Sequence, residues 1–329
     1  MEDVTDTVFR RLLRRWSLRS GGPGPTVMFT EFTRVDAAIR TWEAHLRHNA
    51  WYGRLQHTPE ERPLVAQLWG TRPDEFYRAA EAIEALGFDG IDINMGCPAR
   101  KIRKAGACSA LIAVPERAAE IIAACRSGSA LPVSVKTRLG LSEVVTGEWI
   151  GFLLEQHLDA ITVHGRIADE MSEGVADWRE VRKAVELRDR IGATSRSGHP
   201  TRILGNGDVV SLDHARRLVE TTGVDGVMIG RGIFADPLLF ARTGTADPPR
   251  WETVSLTERL EYIREQIVEF TNHWGTYRNY EVLKKFFRNY VVGVDPGGLL
   301  DALYRTTTAD EALLIIDEAR GSRQGRMIR

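Results

Sequence analysis

The sequence predicts an α/β chain: a (β/α)8 TIM barrel whose first strand is absent, followed by a small all-helical domain. Three observations carry this. Short apolar segments rich in β-branched residues alternate with helical patterns as far as about residue 240. Those segments are apolar on both faces, as the strands of a parallel sheet covered by helices are. After Pro248 and Pro249 the alternation stops and only helical periodicity is left. A chain of 329 residues suits a barrel of about 250 residues with an appendage. The expected boundary lies near residue 245, with a barrel over 1–245 and a helical domain over 246–329.

The first readable element is a helix, "VTDTVFRRLLRRW" from Val4, with no strand before it. The strand candidates follow in order: "TVMFTEF" from Thr26, "PLVAQLWG" from Pro63, "FDGIDINMG" from Phe88, "PVSVKTRLG" from Pro132, "DAITVHGR" from Asp159, "TRILGNGD" from Thr201 and "DGVMIGRG" from Asp225. Between them, "RPDEFYRAAEAIEALG" shows the helical pattern well, with Pro73 and Asp74 opening it and Gly87 closing it. Seven strands are one short of closure. The missing one either precedes Met1 or is replaced by another segment. Beyond residue 245, "LTERLEYIREQIVEFTNHW" and "NYEVLKKFFRNYVVGV" read as helices with no strand between them.

Composition is that of a soluble globular chain. No apolar run approaches the roughly 20 residues of a membrane span, and Glu2 sits where a secretory leader is basic, so the cytoplasm is the default location. Three cysteines, Cys97, Cys108 and Cys125, are odd in number and form no CxxC pair, which points to reduced thiols and away from a disulfide framework or a zinc site. The net charge of −1 gives no general pull on nucleic acid, but the cations are clustered. Arg10, Arg11, Arg14, Arg15 and Arg19 run without an acid; Arg100, Lys101, Arg103 and Lys104 follow Cys97; Arg278, Lys284, Lys285 and Arg288 face only Glu281; Arg320, Arg323, Arg326 and Arg329 end the chain. Each cluster alone reads as a solvated face; together they keep a polyanion partner open.

Barrel enzymes build their sites at the carboxyl ends of the strands. Those ends carry Glu31, Gln67, Asn94 with Cys97, Lys136 with Arg138, His164 with Arg166, Asn206 with Asp208, and Gly230 with Arg231. A polar residue at each of seven apolar strand ends points to a ligand site. The last two strands end in "GNGD" and "GRG", glycine turns opening onto helices, the usual place for phosphate in a barrel. Chemistry alone leaves Lys136 as a Schiff-base lysine, a cation beside an electron-rich ring or an ion-pair member. His164 stays open as a general base, a phosphate contact or a backbone-bonded histidine.

The segments "DINMGCP", then Lys101 and "GACSAL", with "QLWG" before and "VSVKTRLG", "ITVHGR", "NGD" and "DGVMIGRGIFADPLLF" after, resemble the tRNA-dihydrouridine synthase family from Glu2 to about Phe240. "TEFTRV" from Thr30 is similar to its bacterial C-type members. The resemblance implies a flavin mononucleotide (FMN) barrel and a helical RNA-binding domain. It also implies reduction of the C5–C6 bond of a tRNA uridine, with NADPH as reductant. It puts Cys97 on the proton-donating cysteine and Asn94 on the uracil contact. Gln67, Lys136 and His164 fall on flavin contacts, and Asn206, Gly207, Asp208, Gly230 and Arg231 on the phosphate end. Arg100, Lys101, Lys104, Lys284, Lys285 and Arg288 are then the candidate RNA contacts. The family normally begins with a strand ending Ala-Pro-Met, and Met1 stands at that methionine's place, which agrees with the count of seven. Cys108 stands where the family has Gly or Ala, so a small packed side chain is expected there.

Such a reaction needs a hydride at C6 and a proton at C5 from the opposite face. A thiol suits the second role: with a reference pKa of about 8.5 it is mostly protonated at neutral pH, yet acidic enough to release its proton. Cations beside Cys97 work against this by favouring thiolate, unless RNA phosphates screen them. The competing readings are a flavin reductase of a small pyrimidine or enone, a Cys97/His164 hydrolase, and an RNA-binding protein without flavin.

Overall fold

The structure, a computed structural model, describes residues 3–48, 53–241, 251–291, 293–294 and 297–324. All seven predicted strands form, and every pairing between them is parallel. The segment read from Thr26 is split into β1 (Met28–Phe29) and, just past it, β2 (Thr33–Arg34), which pair with opposite ends of β3 (Leu64–Trp69). The sheet continues through β4 (Gly90–Met95), β5 (Val133–Arg138), β6 (Ala160–His164), β7 (Arg202–Asn206) and β8 (Gly226–Met228). Strand order follows chain order, as in a barrel, and among the described residues no pairing joins β8 to β1.

Thirteen helices are described: α1 Thr7–Arg19, α2 Val35–His48, α3 Pro73–Ala85, α4 Arg100–Lys104, α5 Pro115–Gly128, α6 Thr146–Leu154, α7 Trp178–Ile191, α8 Leu212–Thr222, α9 Arg231–Ala235, α10 Leu256–Trp274, α11 Lys284–Val291, α12 Leu299–Arg305 and α13 Ala309–Gln324. The predicted stop and start signals operate. Pro73 opens α3, and Gly192 and Gly223 close α7 and α8 in left-handed conformations at φ 67° and 74°. No described helix is long and apolar enough to cross a membrane.

The chain forms two compact units, Met1–Thr7 with Thr26–Gly230, and Val8–Pro25 with Arg231–Arg329. In the first, period-two alternation sends Ile91, Ile93, Met95, Val133, Val135, Ile161, Val163 and Ile203 into one core with Phe76 and Ile83 of α3, Ile121 and Ile122 of α5, Ile150 of α6 and Val181 of α7. The residues between them, Asp92, Asn94, Ser134, Lys136 and Thr162, take the opposite face, which is the site face. Among the described residues, the regular elements of the second unit are all helices. That unit includes most of α1, which the sequence alone groups with the barrel. Side-chain chemistry explains the difference: Phe9 meets Phe286 at 5.0 Å and Trp16 meets Tyr262 at 4.9 Å, while Trp16 Nε1 donates to Glu265 at 2.7 Å.

Two basic clusters change meaning here. Arg15 pairs with Glu269 at 2.8 Å, Arg19 with Glu265 at 3.1 Å and Arg11 with Glu269 at 3.8 Å, so acids about 250 positions away meet three of the five arginines of a run that looks acid-free in sequence. Arg320 pairs with Glu261 and Asp317. The side chain of Arg323, the residues Arg326 and Arg329, and the expected boundary near residue 245 lie outside the described residues.

Candidate active site at the strand ends

Cross-strand register brings the predicted polar residues together. Gln67 pairs with Asp92 and Asp92 with Ser134; Asn94 pairs with Lys136 and Lys136 with Thr162; Arg138 pairs with His164 and His164 with Asn206. Paired residues of parallel neighbours share a face, so these form adjacent rows. The first two rows are joined by hydrogen bonds: Ser134 Oγ donates to Asp92 at 2.7 Å, Gln67 Nε2 to Asp92 at 2.8 Å and Asn94 Nδ2 to the Gln67 carbonyl at 3.1 Å. Since Asp92 accepts from Gln67, the Gln67 amide has one orientation, and that in turn orients Asn94.

The end of this relay holds Cys97. Asn94 Oδ1 accepts from the backbone N–H groups of Gly96 and Cys97, both at 3.0 Å. Arg138, 5% exposed, donates Nε–H to the Gly96 carbonyl at 2.7 Å, and Ser109 Oγ donates to the Cys97 carbonyl at 2.8 Å. The four backbone groups of Gly96 and Cys97 are therefore all engaged, which fixes the main chain from which the thiol projects. Cys97 is half-buried, as a residue meeting a ligand must be.

Cys108 is fully buried, as its small-residue setting leads one to expect, and its φ of 54° explains why glycine suits the position. It also has a role the sequence does not show. Its thiol hydrogen-bonds to the Cys97 thiol, and this, ahead of burial, pushes Cys108 well above the ordinary thiol range. Cys108 therefore keeps its proton and can donate it towards the Cys97 sulfur. Cys108→Ala is expected to slow alkylation of Cys97 by iodoacetamide at pH 8 several-fold, the scale of one net hydrogen bond of about 1 kcal/mol. An unchanged rate would show that the contact does not act on Cys97.

Two ionisable groups face each other below this loop. Burial first, then the Arg138 charge, lowers Lys136 from 10.5 to about 8, with Asp92 and Cys97 opposing. Burial raises Asp92 from 3.8 to about 6, against its hydrogen bonds to Ser134 and Gln67 and the Lys136 charge. Because the folded protein holds the Asp92 proton more tightly than the unfolded chain, this group's contribution is full below about pH 4 and is lost as pH rises to about 6. Asp92→Asn cannot titrate. Urea unfolding without cofactor should show the variant gaining on the wild type by up to about 3 kcal/mol between pH 4 and pH 6.5. A constant difference across that window would contradict the assignment.

The other end of the site is built from β6 and β7. Asn206 Nδ2 donates to the Met228 carbonyl at 2.8 Å. Gly207 takes φ 127°, and a Cβ there would stand 2.6 Å from that of Ala176, so the turn passes as bare backbone. Asp208 holds Arg166 by a 2.7 Å ion pair and accepts from the Ala176 N–H at 2.8 Å. Arg166, 2% exposed, reaches His164 Nε2 at 3.1 Å. Gly230 has open space where a side chain would lie, and Arg231 is exposed at the start of α9 in the second unit.

The RNA candidates divide. Arg100, Lys101 and Lys104 are exposed on α4 and, among the described residues, make no ion pair. Arg103 of the same helix turns to Asp169 at 2.6 Å. In the second unit Lys284 pairs with Glu281 at 2.8 Å and is only 17% exposed, Lys285 is half-buried and Arg288 is exposed. At the strand ends the sequence shows Arg138 and Arg166 as rim residues and gives them no role, and its signal for Asp92, Ser109 and Ser134 is a polar residue inside an apolar run.

A parallel α/β barrel sheet whose strand ends converge on a clamped thiol and a buried lysine defines a barrel protein with its site in the usual place for that class. The chain belongs to the dihydrouridine synthase (Dus) family, whose model matches residues 1–314. It is 36% identical over 321 residues to a probable tRNA-dihydrouridine synthase of Staphylococcus aureus (strain MRSA252), covering 97% of this chain and 90% of that one. It is 35% identical over 320 residues to probable tRNA-dihydrouridine synthase 2 of Bacillus subtilis (strain 168), covering 97% and 91%. Among solved structures, a morphinone reductase overlays 75% of this chain and 84% of its own at TM-score 0.49 and 13% identity, too distant for any residue or chemistry to be carried across.

Proposed function

We propose that this chain reduces the C5–C6 double bond of a uridine in tRNA to dihydrouridine in the cytoplasm, as an FMN-dependent oxidoreductase with NADPH as reductant and Cys97 as proton donor. The observation that carries the reading is the immobilised Cys97 at the end of β4, in a chain of this family. The residues present fit FMN. Lys136 supplies a cation at the floor, and Thr162 Oγ1, in register with it, is buried without a hydrogen-bond partner among the described residues. The turn at Gly207 and the open space at Gly230 leave bare backbone for a phosphate. Bound there, FMN would supply the hydride for C6 of the uracil.

The chain's own residues do the rest. Gln67, Asn94 and Asp92 form a preset hydrogen-bonded floor whose orientation is fixed before any ligand arrives. Lys136 would stabilise negative charge on a ring bound beside it. Cys97 delivers the proton to C5, and the Cys108 thiol then donates a hydrogen bond to the thiolate left behind. Arg100, Lys101 and Lys104 hold RNA phosphates close to this loop, and the target base leaves its stack to enter, at a cost of a few kcal/mol.

The test is to incubate the purified protein with FMN, NADPH and tRNA lacking dihydrouridine, then map uridines that gain two hydrogens by mass spectrometry. Modification confined to particular tRNA uridines is the expected result. Reduction of free uracil as fast as tRNA, or no modified uridine with FMN bound, would overturn the proposal.

A further inference from the structure

Arg166 is buried, and its guanidinium is used on three sides. Nε donates to the Glu173 carbonyl at 2.9 Å, and Nη2 donates to the Gly174 carbonyl at 2.5 Å and to both Asp208 oxygens at 2.8 and 2.7 Å. Nη1 lies 3.1 Å from His164 Nε2. Arginine has five donors, no acceptor, and does not lose its proton in a protein. The contact therefore has one possible sense: Nη1–H donates and His164 Nε2 accepts through its lone pair. The single ring proton of a neutral His164 is then on Nδ1.

We propose that Arg166 is a positioning residue that locks His164 as the neutral Nδ1–H tautomer, so that His164 meets a bound ligand as a hydrogen-bond donor through Nδ1 and takes no part in proton transfer. Asp208 sets the guanidinium, the guanidinium sets the imidazole, and Gly207 lets the turn close on them: a Cβ at Gly207 would lie 3.2 Å from His164 Cδ2 and 3.5 Å from Nε2. "HGR" and "GNGD" are thus one device, joining the ends of β6 and β7. The same geometry removes His164 from a Cys/His hydrolase pair, because its Nε2 lone pair is committed to a cation. The ligand clause rests on the flavin reading above; the tautomer clause does not.

The experiment uses the full chain labelled with 15N-histidine, first without FMN. The His164 signals are assigned by their loss in His164→Gln, and long-range 1H–15N correlations identify which ring nitrogen carries the proton. Protonated Nδ1 with unprotonated Nε2 is expected. A protonated Nε2, or averaging of the two forms in the wild type, would overturn the proposal whether or not Arg166 variants fold. In a folded Arg166→Met protein the preference should be lost; a retained Nδ1–H form would show that Arg166 is not its cause. FMN titration then tests the donor. His164→Asn, whose amide N–H replaces Nδ1–H, should bind within about 5-fold of the wild type, whereas His164→Gln, which places its donor at the Nε2 position, should lose on the order of 10- to 100-fold. Equal losses in both would overturn the donor role. A wild type that binds no FMN would sink the flavin reading and leave the tautomer to be decided by the spectra.

Discussion

Cys97→Ala is expected to slow tRNA-dependent reoxidation of the reduced protein by about 10²- to 10⁴-fold, the usual worth of a positioned proton donor. FMN content and reduction by NADPH should stay at wild-type values. The separation follows from the geometry. The Cys97 thiol is held from behind by Asn94, Arg138 and Ser109, all of which bind its loop through backbone atoms that an alanine keeps. The substitution therefore deletes the acid and leaves its scaffold. Cys97→Ser retains the shape but offers a far weaker acid, so it should resemble the alanine variant. Stopped-flow reoxidation with saturating tRNA measures the effect. Loss of FMN from Cys97→Ala, or reoxidation at the wild-type rate, would show that Cys97 holds the fold or the cofactor and does not donate the proton.

Much of this site is legible in the sequence because a parallel strand reports both faces at once. In "GIDINM" the residues at alternate positions are apolar, and the intervening Asp92 and Asn94 have nowhere to go but the site face. Register then carries the same logic from strand to strand without a contact map. What stays hidden is who hydrogen-bonds whom. Nothing in "GACSAL" says that Ser109 holds the Cys97 carbonyl or that Cys108 reaches its sulfur, since both depend on a turn folding back over 11 or 12 residues. Charge clusters mislead for the same reason. Arg15 and Arg19 look free until α10 supplies Glu265 and Glu269. Arg103 differs from Arg100 and Lys104 only in the side of a short helix on which it falls.

That difference on α4 sets the second large effect, in tRNA binding. Each phosphate neutralised by a cation contributes roughly 0.7 to 0.9 to the slope of log K against log salt. Arg100, Lys101 and Lys104 are exposed with no ion pair among the described residues, so they can meet phosphates without first giving up a partner. Replacing all three with alanine should flatten the slope by roughly two to three units. Arg103 is engaged by Asp169, and Lys284 by Glu281, so each must break an existing pair before binding RNA, and the net gain is correspondingly smaller. Lys284→Ala should therefore flatten the slope less than Lys101→Ala, with Arg288→Ala, exposed on the same helix as Lys284, the better probe of that surface. Binding of labelled tRNA between 50 and 300 mM salt measures all of these, and FMN affinity serves as the control that the barrel is intact. If the triple variant keeps the wild-type slope while Arg288→Ala loses a full unit, RNA is held by the helical unit, and the cations of α4 are a solvated surface beside the thiol.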